Sequence, residues 1–295
     1  MNKITTTGCY PDMSHQDYID DPVEGGSLNS SGIKTLLLDC PKRYWLQSPL
    51  NPDRDPEEHK KHYSMGSLIH DILLLGGSQI HKRYHILSPE FKDFRTKAAK
   101  EERDEAIGRG LMVIKQDDLD QAHNVAKIAL SHPKIGDIFK EGESEQTLVW
   151  QDKETGVWCR CRFDRFNHEH LYGADYKTSR NANPREFSRA VGDYGYYIQA
   201  AMYMEGYKAV FGKSLEKFWF IVQEIDQPEM IAPIELDNVA LEWGKILFDA
   251  AKRKYAECKD VNRWPGYDEQ THKIGLPGWH EAKLETLKDE TNNFE

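Results

Sequence analysis

The segment that most restricts the fold is residues 145–179, EQTLVWQDKETGVWCRCRFDRFNHEHLYGADYKTS. Three runs in it, EQTLVWQD, GVWCRCRFDRF and LYGADYKTS, alternate or stay apolar over strand lengths with turn residues between them, which demands a sheet. The second and third runs also carry Asp164, Asp175 and Lys177. Ionised groups are costly inside a sheet unless they find partners. A hairpin centred on Glu169 and His170 sets Asp164 opposite Asp175, since each lies the same distance from the turn. Side chains two apart share a face of a strand. Arg160, Arg162 and Asp164 therefore share one face, Cys159, Cys161 and Phe163 the other, and Asp175 projects together with Lys177. On this reading one hairpin face carries two carboxylates, a lysine and two arginines, and the other belongs to the core.

Two carboxylates and a substrate phosphate are enough to hold a hard cation such as Mg2+, which keeps several of its waters. Such an ion lowers the pKa of water and offsets charge growing on a phosphate oxygen. A neighbouring lysine can orient the water and stabilise the transition state. The spacing thus suits metal-assisted hydrolysis of a phosphodiester. It suits equally a surface ladder of salt bridges, in which each pair contributes little. Spacing alone leaves both open.

The rest of the chain is largely helical in pattern. In SLNSSGIKTLLLDCPKRYW, Asn29 or Ser30 can cap a helix on which Ile33, Leu36 and Leu37 recur before Pro41 interrupts. NPDRDPEEHKK is a polar linker. HYSMGSLIHDILLLGG reads as a helix whose apolar stripe (Met65, Leu68, Ile69, Ile72, Leu73) ends at Gly76 and Gly77. Residues 90–110, with Lys92, Lys97, Lys100 and Arg103, form an exposed helix or a loop, and a helix is expected over 117–131. After the three strands come one long helix over 184–211, strands over 217–225 and 230–236, and a helix over 238–258. The stretch through Gly26 and the segment RWPGYDEQTHKIGLPGWHE look irregular. The expected fold is α/β in a single domain over 1–295: mainly helical in 1–140, an α/β core in 141–258, irregular in 259–295.

A formal net charge of −10 argues against a uniformly basic nucleic-acid binder, though not against an enzyme with a local basic channel. No apolar run reaches the length of a membrane span, and MNKITTTGCYPDMSHQDY lacks the pattern of a secretory signal, so a cytoplasmic location is expected. Five scattered cysteines do not form a disulfide framework. Cys159 and Cys161 with His168 and His170 do not have zinc-module spacing. Phosphate-loop and nucleophile-elbow motifs are missing.

Asp164 followed by Asp175-Tyr176-Lys177 resembles the PD-(D/E)XK nuclease signature, in the form DRF…ADYKTS of its RecB-like branch. MGSLIHDILLL resembles the helix that supplies a metal-binding histidine, here His70, in the RecE-type (exonuclease VIII-like) group. YYIQAAMY resembles the helical Q-x-x-x-Y element of these nucleases, and SSGIKTLLLDCPKRYW resembles their N-terminal segment. The resemblance implies a central mixed sheet flanked by helices, with a helical N-terminal extension. It implies His70, Asp164, Asp175 and the carbonyl of Tyr176 as ligands of Mg2+, with Mn2+ as a substitute, and Lys177 as the group that positions the attacking water. Glu145, with Glu143 as its rival, is the further acid at the metal, and Gln199 and Tyr203, four apart on one helical face, share in the site. Arg160, Arg162, Thr178 and Ser179 are the candidate DNA contacts.

By the same likeness the chain digests linear duplex DNA from the 5′ end and leaves a 3′ single-stranded tail for an annealing recombinase. A homo-oligomeric ring is implied as well. Some RecB-like relatives hold an iron–sulfur cluster on one early and three late cysteines, which Cys40 and Cys258 cannot supply. The competing readings are a non-catalytic DNA-binding or assembly protein on the same fold, a structure-specific endonuclease, and a metal hydrolase of another substrate. His70 as a core histidine, and Lys252, Arg253 and Lys254 as a solvated face, are the plain alternatives for those residues.

Overall fold

A sheet buried on both faces needs strands that are apolar almost throughout, and the run from Gln146 to Trp150 is buried at every position. The computed structural model describes residues 3–11, 13–54, 64–91, 93–269 and 271–292, in two units, Met1–Trp264 and Pro265–Glu295. The first unit runs β1 (Gly8–Tyr10), α1 (His15–Ile19), α2 (Ser30–Lys34), α3 (Pro41–Gln47), α4 (Met65–Leu75), β2 (Tyr84–Ile86), α5 (Lys97–Gly108), β3 (Met112–Ile114) and α6 (Gln116–Ser131). It continues with α7 (Gly136–Lys140), β4 (Glu143–Gln151), β5 (Trp158–Asn167), β6 (Tyr172–Ser179), α8 (Pro184–Asp193), α9 (Tyr196–Phe211), β7 (Lys217–Glu224), β8 (Ile231–Glu235) and α10 (Asn238–Asp260). The second unit carries α11 (Gly278–Asn292).

The main sheet has the order β1-β4-β5-β6-β7-β8. Every neighbouring pair is antiparallel except β6 and β7, which are parallel and joined through α8 and α9. On one face Cys159, Cys161, Phe163, Phe166, Phe218 and Phe220 pack with Met202, Tyr203 and Tyr207 of α9 and Phe248 of α10. On the other, Tyr172, Ala174, Tyr176 and Ile221 pack with Leu68, Ile69 and Ile72 of α4, Val125 of α6 and Phe139 of α7. α9 approaches closely because Gly206 lacks a side chain: a Cβ there would lie 2.6 Å from Trp150 Cζ3. The expected architecture, a mixed α/β sheet flanked by helices with a helical N-terminal part, is the observed one.

Several local expectations change. The helix expected over 184–211 is two helices, because Gly195 sits at φ +62°, a left-handed conformation in which α8 has ended and α9 begins. The N-terminal stretch is not irregular throughout, since β1 pairs with β4 and Ser14 caps α1, while Asn29 caps α2 as expected. Strands β2 and β3 form a separate parallel pair, each too short for alternation to show in sequence. The C-terminal segment is not irregular to its end: its glycines and prolines stop at Gly278, and the helix-forming run behind them is α11. Lys252 is not on a solvated face but buried, with carboxylate oxygens of Asp152, Glu205 and Asp249 each 2.9 Å from Nζ. Part of the NPDRDPEEHKK linker, residues 55–61, and Lys92 lie outside the described residues. No described helix is long and apolar enough to cross a membrane.

Candidate active site

The β5–β6 ladder pairs Asn167 with Tyr172, Phe166 with Gly173 and Arg165 with Ala174, then opens. In the fork the N–H of Tyr176 donates to Asp164 Oδ2 at 2.7 Å instead of to a strand carbonyl. β5 also breaks its alternation here, for Phe163 and Phe166 both enter the α9-side core. Asp164 is thereby turned toward α4, where its Oδ1 lies 3.2 Å from His70 Nε2. Asp175 stays in step: Ala174 and Tyr176 face α4 and α6, so Asp175 faces α9. There its Oδ1 accepts from Gln199 Nε2 and its Oδ2 lies 2.5 Å from Lys177 Nζ. The two carboxylates are delivered from two sides of a fork, not from one face as alternation predicted. The period of two holds only while the ladder holds.

His70 is brought to the fork by close packing at the start of α4. Ser64 caps the helix, and a Cβ on Gly66 would lie 2.5 Å from Thr178 Oγ1 of β6, so only glycine fits that contact. Behind the ring, Asp71 Oδ1 lies 3.7 Å from His70 Nδ1, while the Asp71 carboxylate accepts from Arg83 Nη1 at 2.8 Å and from the Tyr84 hydroxyl at 3.0 Å. Glu145 arrives from β4 with φ +55°, an uncommon conformation for a non-glycine residue that costs on the order of 1–3 kcal/mol. Flanking ladder pairs, Ser144 with Arg165 and Gln146 with Phe163, hold it there. Its Oε1 is 3.8 Å from His70 Nε2, and its Oε2 is 2.6 Å from Arg162. One ligand atom each from His70, Glu145 and Asp164 lie within 4.8 Å of one another.

Burial works against a charged His70, but Asp164, with Asp71 and Glu145 behind it, outweighs burial and raises its pKa well above the ordinary value. Burial likewise opposes charge on Asp164, and His70, Lys177 and the Tyr176 N–H reverse that and hold it low. Burial pushes Asp175 up to about 6 in spite of the adjacent Lys177, and Asp164 adds to the rise. Lys177 is opposed by burial but kept charged by Asp175 and Asp164. Glu145 is raised by burial against the pull of Arg162 and His70. An imidazole nitrogen and two carboxylates converging on one point form a donor set that fits a divalent cation of the Mg2+ or Mn2+ kind.

The other sequence candidates fall as follows. Glu145, not Glu143, is beside His70; Glu143 is exposed and 3.6 Å from His168. Asp175, expected among the ligands, lies outside the trio, with its oxygens engaged by Lys177 and Gln199. Gln199 is buried and touches the site through Asp175. Tyr203 lies in the core with its ring against Phe163 and Phe218. Arg160 is no surface contact: it is buried on Asp21 at 2.9 Å and donates to the Ser27 carbonyl. Arg162 is spent on Glu145 and the Met13 carbonyl. Asp21, the acidic partner of Arg160, is far away in sequence, and Glu145, that of Arg162, reaches it from a left-handed residue of β4, which is why alternation alone sent both arginines to solvent. Thr178 is half-buried under α4, and Ser179 Oγ donates to the Asn181 carbonyl. Tyr176 joins the site through its backbone, while its hydroxyl donates to Gln223. Cys159 and Cys161 are buried on the side away from Asp164, and all five cysteines are free.

Sequence reasoning missed Asp71 and its partners Arg83 and Tyr84. A lone acid beside His70 in an otherwise apolar helix was the available signal. The ring of Tyr196, which the sequence offered either as packing against the sheet or as a contact to DNA, lies 5.1 Å from Lys177 Nζ.

Residues 29–275 match the family described as "PDDEXK-like domain of unknown function (DUF3799)". Among solved structures, that of a "Putative exonuclease" from Eubacterium rectale superposes with a TM-score of 0.61, covering 90% of this chain and 96% of that one. At 13% identity this is a likeness of fold. No curated protein matches in sequence.

Proposed function

This chain belongs to the family of PDDEXK-like domains, and from that premise we propose that it is a divalent-metal-dependent nuclease acting on DNA. The observation that carries the reading is the fork itself. His70, Glu145 and Asp164 offer ligand atoms within 4.8 Å of one another, and Lys177 and Asp175 stand beside them. His70, Glu145 and Asp164 would hold Mg2+ or Mn2+, with Asp175 and the Tyr176 carbonyl as the neighbouring oxygens. The bound ion supplies Lewis acidity toward a phosphate oxygen and a water of lowered pKa.

The remaining work falls to the chain. Asp175 keeps the buried ammonium of Lys177 charged and aimed, and Gln199 keeps Asp175 in place. Lys177 can then orient the attacking water and stabilise charge growing on the scissile phosphate. Asp164, tied to the Tyr176 N–H, fixes the geometry between β5 and β6. Asp71 sits behind the His70 ring, as carboxylates do behind metal-bound histidines elsewhere.

On the sequence resemblance, the reaction is exonucleolytic hydrolysis of linear duplex DNA in the 5′-to-3′ direction. It leaves a 3′ tail for an annealing recombinase, and the enzyme works as a homo-oligomeric ring. Linear and covalently closed circular duplexes incubated with Mg2+ or EDTA test this. Loss of only the linear form, and only with Mg2+, is expected. Cutting of circles would replace the exonuclease by an endonuclease, and inertness toward both would leave a DNA-binding module.

A further inference from the structure

Lys177 has a companion that the mechanism has not used. Lys34 ends α2, in the N-terminal part of the chain, and its ammonium lies 5.8 Å from the centroid of the Tyr196 ring. Lys177 lies 5.1 Å from the centroid of the same ring. The methylene stem of Lys34 crosses Gly195, where a Cβ would come within 3.0 Å of Lys34 Cδ. The left-handed glycine that separates α8 from α9 thus also gives Lys34 its path to the site.

The two lysines differ in what neutralises them. Lys177 has Asp175 at 2.5 Å, whereas no carboxylate among the described residues pairs with Lys34. Burial disfavours the charge of Lys34, Lys177 disfavours it further, and Asp175 compensates only in part. A half-buried ammonium beside a second ammonium is unfavourable unless an anion joins them. A plain packing role would be served as well by an uncharged side chain, and the aromatic ring offers about 0.5–2 kcal/mol, not a counter-ion.

We propose that Lys34 is a second phosphate-binding lysine of this site, and that its ammonium takes a DNA backbone phosphate next to the one being cut. The inference rests on the nuclease reading above and adds a substrate subsite to it, contributed by the N-terminal segment. Lysine binds phosphate as a point charge, so the subsite is indifferent to base sequence.

Each protein–phosphate contact adds about 0.9 to the slope of log affinity against log salt for duplex DNA. The test is fluorescence anisotropy of a labelled linear duplex in EDTA over a salt series, with wild type, Lys34→Met, Lys34→Gln and Lys34→Arg. Methionine keeps the stem against Gly195 and Tyr196 and removes only the charge, and glutamine provides a second neutral variant of different packing. Both neutral variants are expected to lose about 0.9 from the slope while keeping a wild-type melting temperature, with arginine restoring it. Under Mg2+ their KM for DNA should rise more than kcat falls. An unchanged slope in a neutral variant that still binds would overturn the subsite and leave the nuclease reading standing. A wild-type protein that neither binds the duplex in this assay nor cleaves it with Mg2+ would remove both.

Discussion

Asp175 is a carboxylate that the fold holds at a cost. An aspartate ordinarily titrates at 3.8, and burial raises this one to about 6. The sign follows from linkage: a raised native pKa means the native state binds more protons, so stability falls as pH rises from about 4 to about 6. Above that window, keeping Asp175 ionised costs the metal-free protein about 3 kcal/mol, at about 1.4 kcal/mol for each tenfold change in proton affinity. Asp175→Asn removes this cost. The carboxamide can present its oxygen to Lys177 and its NH2 to Gln199, provided the Gln199 amide turns over.

The metal-free variant is therefore expected to be more stable than wild type at pH 7.5 by up to about 3 kcal/mol, or about 5 °C in Tm for a chain of this size. Its cleavage activity should fall about a hundred- to a thousandfold, as for loss of a preorganised electrostatic group. Urea unfolding in EDTA at pH 7.5, 6.0 and 4.5 reads out the stability difference. A gap that shrinks toward acid is the expected result. A variant less stable than wild type at pH 7.5, or a gap that does not depend on pH, would refute the reasoning.

His70→Ala should raise the Mg2+ concentration needed for half-maximal cleavage by at least about tenfold, and an unchanged titration would remove His70 from the metal. Gly66→Ala places a Cβ 2.5 Å from Thr178 Oγ1 and should destabilise by about 1–3 kcal/mol, with Thr178→Ala in the same chain recovering most of the loss in a double-mutant cycle. Lys252→Met leaves three acids without their cation and should cost about 3 kcal/mol at pH 7. Burial works against ionised Asp152 and Asp249, but Lys252 holds Asp152, and Lys245 together with Lys252 holds Asp249, below the ordinary range, so the part owed to Lys252 is present above about pH 4 and lost as pH falls through their lowered values. Acid unfolding curves of the two proteins should accordingly converge at low pH.

The three strands were legible because their apolar runs and turns are unambiguous, and the stripe on α4 fixed His70 on a helix that must pack on the sheet. Asp164, Asp175 and Lys177 could be named from spacing and likeness. Their arrangement could not, because it depends on where the β5–β6 ladder stops, and ladder ends are set by the neighbours of both strands. The break at Gly195 looked like helix because Tyr196 to Phe211 continues an apolar pattern behind it. Arg160 and Arg162 looked solvent-facing because their partners, Asp21 on an N-terminal loop and Glu145 at a left-handed residue, are properties of the folded chain. Lys34 gave no signal in sequence at all; its meaning comes from Gly195 and Tyr196, which lie more than a hundred and fifty residues on.

The most direct test of the proposed centre is anomalous-difference density from crystals of the protein soaked in Mn2+. The expected result is a peak bounded by His70 Nε2 and the carboxylates of Glu145 and Asp164, lost in Asp164→Asn. A peak elsewhere, or none at Mn2+ concentrations that support cleavage, would contradict the assignment of these residues to the metal.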